Sequence, residues 1–404
     1  MKILLISENF YPETNAPGKR LYEHAKEWIN LGYEVTVLTS VPNAPKGKVF
    51  NGYKNKIFQT NKVDGIKIVR VWTFIAKNER FLLRTLDFLS FMITSFIFGI
   101  FIKRHDRIIV SSPQFLPVIS GFLIAKLKRI PFILEIRDLW PESIVELGAI
   151  KKDSIIIKSL FSIAKYIYKK SALIVVVTKT FKEYLIEYGI NKDKIIVIEN
   201  GFNFERTLKP NKDKNIVRKE YNIPNNNFTI SYIGTIGMSH GIEIILEAAI
   251  LIKDVNFLII GEGSEKQALK KEASKRRIKN LFFIDNISWQ EIININQIIN
   301  ANLVHLRNLE LFKTVIPSKI FESMALKKPI LAGLVGESLE IIKSSNSGLQ
   351  VIPEKANSLV NEIVKLKNDP NLCEELSKNG FILVNERYNR KILAKKMINK
   401  IKQI

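Results

Sequence analysis

Short apolar runs, each about as long as a strand, alternate along the chain with stretches whose apolar positions recur at helical spacing. The first set is KILLIS, YEVTVLTS, GIKIVRVW, DRIIVSS, FILEIRD, ALIVVVTK and KIIVIEN. These runs are rich in β-branched residues, as strands covered on both faces of a parallel sheet require. After the first, Leu21, Ala25 and Trp28 line one face of a helix predicted over Arg20–Leu31. Gly32 stands where a left-handed C-terminal residue belongs. The stretch ENGFNFERTLKPNKDKN then reads as a linker. The pattern restarts with FTISYIG, VNFLIIGEG, LFFID, ANLVHL, PILAG and GLQVI. That restart predicts two doubly wound α/β domains, residues 1–205 and 206–380, followed by a basic helix over 381–404 that could pack on either.

One segment departs from this rhythm. FLSFMITSFIFGIFI, Phe88–Ile102, has 15 residues and no charge, fewer than the roughly 20 that cross a bilayer. Arg80, Arg84 and Asp87 precede it and KRHDR follows. It reads as a buried crossover helix, or as a helix lying in a membrane interface with its basic flanks on anionic headgroups; a full span is the third reading. In the interfacial case Phe91, Phe96 and Phe98 would carry the contact.

Composition narrows the partners. The 404 residues suffice for two cores, and the net charge of +23 attracts polyanions, although much of the lysine reads as ordinary solvated surface. No motif of interleaved aromatic and basic residues supports nucleic-acid binding. Cys373 is the single cysteine, and His24, His105, His240 and His305 lack ligand spacing. A disulfide framework is excluded, no metal site is expected, and a reducing, cytoplasmic setting fits. The N-terminal MKILLISENFYPE reads as a first strand rather than a signal peptide.

Ligands of open α/β sheets bind at the carboxyl ends of the strands, so the loops there carry the candidate chemistry. In GTIGMSHG, Gly234, Gly237 and Gly241 cluster between a strand and a helix, and GEGSE places Gly261 similarly. Such loops either cradle an anion with backbone N–H groups or are simply tight turns. In NAPGKR, Gly18 is expected to make a close turn, and Arg20 to meet a phosphate or stay solvated. EIRDLWPES sets Arg137 and Asp138 at a strand end. In KTVIPSKIFESMALKKP, Lys319, Glu322 and Ser323 share a helix face, and Ser318 is placed to cap it. Lys319 and Glu322 are then a surface ion pair, or a phosphate ligand and a sugar-hydroxyl ligand.

These motifs together resemble the family 4 retaining glycosyltransferases, and among them the branch building bacterial O-antigen, capsule and related surface polysaccharides, including N-acetyl-L-fucosamine transferases. The resemblance runs in order through FYPETNAPGKRLYEHAKEW, GYEVTVLTSVPNAPKGKV, EIRDLWPESIVELGAI, IENGFN, YIGTIGMSHGIEIILEAA, IIGEGSEK and IPSKIFESMALKKPILA…GES. It implies a GT-B fold of two facing Rossmann-like domains with an interdomain cleft. The first domain would face the membrane and bind the acceptor, with Gly18 and Arg20. The second would bind a nucleotide sugar through Gly234, Thr235, Gly237, Gly261, Ser318, Lys319, Glu322, Gly336 and Glu337. Glu322 matches the ribose-binding second Glu of the family's E-x7-E motif; the first is replaced by Thr314. The usual Arg and Lys for the diphosphate are missing after the first strand of the second domain, and Lys319, the glycine-loop amides or Arg307 must stand in. Arg137 falls where relatives carry a His near the reacting sugar, and with Asp138 is the catalytic candidate. The implied reaction takes a UDP-sugar, among them N-acetylated amino sugars, to a polyprenyl-diphosphate-linked saccharide. It retains anomeric configuration, needs no metal or other cofactor, and runs at the cytoplasmic membrane face on an anionic surface. The alternative is a nucleotide-sugar epimerase of the same fold, for which no well-placed carboxylate pair stands out.

Overall fold

A computed structural model describes residues 1–13, 15–44, 47–75, 81–112, 115–142, 154–225 and 227–404. Arg80 and the Ser143–Ile150 end of the Glu135 motif lie outside them. The chain forms two compact units, Met1–Glu199 with Arg390–Ile404, and Asn200–Asn389. The boundaries therefore fall at 199/200 and 389/390, where the sequence pattern suggests 205/206 and 380/381.

The first unit contains β1 (Lys2–Ile6), α1 (Ala16–Asn30), β2 (Glu34–Ser40), β3 (Phe58–Val63), β4 (Ile66–Val71), α2 (Phe81–Phe101), β5 (Arg107–Ser112) and α3 (Leu116–Lys128). It continues through β6 (Phe132–Ile136), α4 (Ile155–Lys170), β7 (Leu173–Val176), α5 (Lys179–Glu187) and β8 (Ile195–Val197). Its sheet order is β3-β4-β2-β1-β5-β6-β7-β8. Every neighbouring pair is parallel except β3 and β4, an antiparallel hairpin turning at Asp64–Gly65. β3 was not foreseen, because FQTNKV is a largely exposed edge strand with no apolar run to betray it.

The second unit contains α6 (Lys214–Glu220), β9 (Phe228–Ile233), α7 (Glu243–Leu251), β10 (Val255–Ile260), α8 (Lys266–Lys275), β11 (Leu281–Ile284) and α9 (Trp289–Asn296). Then come β12 (Ala301–His305), α10 (Ser318–Ala325), β13 (Ile330–Gly333), α11 (Glu337–Ser344), β14 (Gly348–Gln350), α12 (Ala356–Asn368) and α13 (Pro370–Glu386). The all-parallel order β11-β10-β9-β12-β13-β14 reverses direction between β9 and β12. The first unit reverses likewise between β1 and β5. Such reversals open a crevice at the strands' carboxyl ends, where ligands of these sheets sit.

Two helices bear on questions the sequence left open. The last helix, α14 (Arg390–Lys402), belongs to the first unit. Its Leu393, Ala394, Met397, Ile398 and Ile401 join Leu21, Ala25 and Trp28 in one core, and the Trp28 indole N–H donates to the Ala394 carbonyl at 3.0 Å. α2 is the crossover helix between β4 and β5, with Phe91 fully buried and Phe96 and Phe98 packed on the core. These phenylalanines are therefore not its outward face. Leu86, Leu89, Ile93, Ile97 and Ile100 are exposed instead, at spacings of three and four. With 21 residues, α2 is also longer than the uncharged run and is long and apolar enough to cross a membrane by length and composition.

Candidate functional site

In the second unit the sites of interest cluster after β9, β10, β12 and β13. β9 ends in Tyr232–Ile233, and Gly234 follows at φ +139°. A Cβ there would lie 2.3 Å from Cε of Lys319. Gly261, after β10 at φ +145°, backs directly onto this turn, since its Cβ would fall 2.0 Å from the Gly234 carbonyl oxygen. Gly261 is thus required by the neighbouring loop, whatever ligand contact it makes. Thr235 offers its carbonyl to the Tyr232 hydroxyl, and Gly237 opens a short 3-10 turn over Met238–His240. Gly336 and Glu337 begin α11 after β13.

α10 brings Lys319 and Glu322 to this loop. Pro317, with no side-chain hydrogen bond, holds the cap position; Ser318 is the first helical residue and not the expected cap. Lys319 does not pair with Glu322. Its ammonium donates to the Tyr232 hydroxyl and lies 4.0 Å from the centre of that ring. Burial pushes the Lys319 amine down to about 7, with Glu322 pulling weakly the other way. Burial also keeps the Tyr232 phenol protonated by raising its pKa. Beside them His240 is held neutral, pushed down to about 4 by burial and by Lys319. Its ring stands edge-on to Tyr232, 6.1 Å between centroids, and its Nδ1 is buried with no partner among the described residues.

Glu322 faces Arg206, whose Nη1 is 3.8 Å away and whose guanidinium lies 4.0 Å from the centre of the Trp289 ring. Ser323 shares the face of Lys319 and Glu322, all three lining one small cavity with Asn302 and Trp289, and its hydroxyl turns inward to accept from Asn302 at 3.1 Å. Arg307 is corrected as a phosphate candidate. Its Nη1 pairs with Glu354 at 2.7 Å, its Nη2 with Glu243 at 2.6 Å, and its Nε donates to the Met238 carbonyl. The guanidinium is spent on bracing the loop.

The first unit also corrects two expectations. Gly18 lies inside the first turn of α1, not in a turn before it, and its amide donates to the capping Asn15 side chain at 2.9 Å. Arg20 is 1% exposed and neither solvated nor free for a phosphate. It donates to Glu135 at 3.0 Å and to the carbonyls of Glu199 and Ile198 at 2.7 and 2.8 Å. Burial opposes the Glu135 charge, but Arg20, Arg137 and the Ser111 hydroxyl at 2.6 Å hold its carboxyl below the ordinary value.

Arg137 follows β6 with Nε and Nη1 buried and unpartnered among the described residues. Burial lowers its pKa to about 10. A guanidinium with open, desolvated N–H edges at a strand's carboxyl end is a site for an anion or an array of hydroxyls. Asp138 beside it is exposed.

Sequence reasoning missed Tyr232, Arg206 and Trp289, which belong to the Lys319–Glu322 neighbourhood. It also missed a carboxyl pair: Glu8, just after β1, shares a hydrogen bond with Asp87 of α2. Burial and mutual repulsion raise the Glu8 carboxyl well above its usual range, and burial pushes Asp87 up to about 7.

A sheet that reverses at β9/β12, with a lysine beneath a glycine turn and a carboxylate one helical turn on, is the frame of a nucleotide-handling α/β enzyme. The chain belongs to the glycosyltransferases. Residues 18–206 match the family described as Glycosyltransferase Family 4, and residues 213–382 match the one described as Glycosyl transferases group 1. Its two Rossmann-like domains have the GT-B fold. The chain is 27% identical to the putative colanic acid biosynthesis glycosyl transferase WcaI of Escherichia coli, over 81% of each chain. It is 28% identical to the probable glycosyltransferase WbjE of Pseudomonas aeruginosa, over 57% of this chain and 58% of that one. Among solved structures it is similar to Anabaena HepE in complex with UDP-glucose, with a TM-score of 0.73, 16% identity and full coverage of both chains.

Proposed function

We propose that the protein transfers a sugar, with retention, from a UDP-sugar to a polyprenyl-diphosphate-linked saccharide during synthesis of a surface polysaccharide. The observation that carries this reading is Lys319, held under the glycine turn after β9 with Glu322 one turn further along α10. Departure of UDP leaves negative charge on the β-phosphate, and preorganised cations and N–H groups lower that barrier. Lys319 is an amine poised to take up a proton, and so become a full cation, as the diphosphate arrives. The first amides of α10, with no side chain capping them, add donors. Glu322 accepts from the ribose hydroxyls and Arg206 orients it. In the first unit Arg137 and Asp138 position the transferred sugar or the acceptor hydroxyl. As the acceptor oxygen bonds to the anomeric carbon, the bond to the UDP oxygen breaks on the same face, and the acceptor proton passes to the departing phosphate.

The assignment of WcaI to colanic acid biosynthesis and the UDP-glucose bound to HepE support the polysaccharide and UDP-sugar parts of this reading. The exposed apolar row on α2 supports docking at the cytoplasmic membrane face. The test is to incubate the protein with UDP-sugars and a polyprenyl-diphosphate saccharide, with and without a chelator. The expected result is one glycosylated lipid with the donor's anomeric configuration, formed equally in both. Epimerised nucleotide sugar without transfer would overturn it.

A further inference from the structure

The first unit also has a groove at the opposite ends of its strands from Arg137 and Asp138. A groove of about 630 Å³ opens at the amino ends of β1, β2 and β4, between the β3–β4 hairpin and the end of α2. That volume lies within the roughly 300–1,000 Å³ usual for small-molecule sites. One wall is apolar: Phe58 stacks on Phe98 at 5.4 Å between centroids, with Val69, Phe101 and Ile102 around them. The rim is basic, with Lys2, Lys67, Lys103 and Arg104. Lys2 is partly neutralised, its ammonium 3.5 Å from Glu34 and its backbone N–H on Asp106 at 2.6 Å. Lys67, Lys103 and Arg104 have no ion-pair partner among the described residues. The floor is uncharged: His105 is held between the Lys103 carbonyl and the Thr36 hydroxyl, and burial lowers its pKa.

An apolar trough ending in three open cations matches an amphiphile with a hydrocarbon tail and an anionic head. The groove's position selects among such molecules. Phe101 lines it, is 80% exposed, and continues the outward row of Ile97 and Ile100 on α2. The groove therefore opens where the apolar face of α2 ends. A lipid in a bilayer met by that face could place its phosphate on the rim while its chain lay against Phe58, Phe98 and Phe101. We infer that this groove binds one anionic phospholipid, anchoring the enzyme through its headgroup charge. The inference rests on the membrane-docking part of the proposed function.

The test titrates the full-length protein with monomeric short-chain phosphatidylglycerol and follows its thermal unfolding. Short-chain phosphatidylcholine and inorganic phosphate are the comparators. Phosphatidylglycerol should raise Tm, and the other two should do so far less. The triple variant Lys67→Glu, Lys103→Glu, Arg104→Glu should weaken that response at least tenfold, and Phe58→Glu should weaken it independently. UDP-sugar binding by both variants should match the unaltered protein, which keeps this outcome separate from that of the transferase reading. Equal stabilisation by phosphatidylcholine would overturn the inference, and so would the full effect from phosphate alone or an undiminished response in the triple variant. A site that responds only to acidic peptide would likewise contradict it.

Discussion

Lys319 is the residue on which the chemistry turns. Its amine, pushed down to about 7, is only partly charged in the free protein at neutral pH. A bound diphosphate favours the ammonium, so binding takes up a proton above pH 7. The donor KM is therefore expected to rise as pH increases from 7 to 9, approaching tenfold per unit at the alkaline end. Lys319→Ala should raise KM by more than tenfold at pH 7, since a charge-assisted hydrogen bond contributes about 1.5–3 kcal/mol, and should flatten that pH trend. Initial rates across this range check both. The sequence offers this residue as a phosphate ligand or as the ion-pair partner of Glu322, but not its place against Tyr232. Its partner Tyr232 lies 87 positions away, and no local spacing reports that contact. The same holds for Arg20, read as a phosphate ligand or a solvated side chain because its buried partner Glu135 is 115 positions off.

At the scale of elements, the strands were readable and their edges were not. Runs such as KILLI and VNFLII are apolar at all but one position because both faces of each strand are covered. β3 is exposed on an edge and carries no such signal. α2 shows the limit of composition: its uncharged run does not say which face is buried, and Phe91 proved to be core while Leu89, Ile93 and Ile97 face outward. Replacing those three with Asp should abolish sedimentation with phosphatidylglycerol vesicles. Unfolding free energy should change by about 0.5 kcal/mol or less at each site, as for surface positions generally. Sedimentation that survives would contradict docking by α2. The inner side of α2 carries a pH dependence. Asp87 and Glu8 have folded-state pKa values raised above their unfolded ones, so the stability they permit is full at low pH and is lost as pH rises from about 4 through 7. Asp87→Asn removes the Asp87 share of that loss and its repulsion of Glu8, leaving the share set by the burial of Glu8 itself. The variant's Tm should exceed that of the unaltered protein at pH 8, and the gain should vanish at pH 5.

At the scale of the molecule, the restart of the strand pattern announced two α/β units, but not that the chain's end returns to the first. The sequence of α14 is basic and amphipathic, and nothing local distinguishes a core against α1 from one in the second unit. Leu393, Met397, Ile398 and Ile401 are each at most 2% exposed. At about 1.5–3 kcal/mol apiece, their burial is comparable with the whole stability of a domain. Ending the chain at Asn389 should therefore remove the cooperative unfolding transition of the first unit, as followed by calorimetry. An unchanged transition would show that α14 is dispensable.

The central claim, a nucleotide-sugar site built around Lys319, is tested most directly by calorimetric titration of UDP into the full-length protein and into Lys319→Ala at pH 7. Saturable one-to-one binding that weakens at least tenfold in the variant, with proton uptake in the unaltered protein and none in the variant, is the predicted result. Absence of UDP binding, or identical affinity and proton balance in the two proteins, would contradict it.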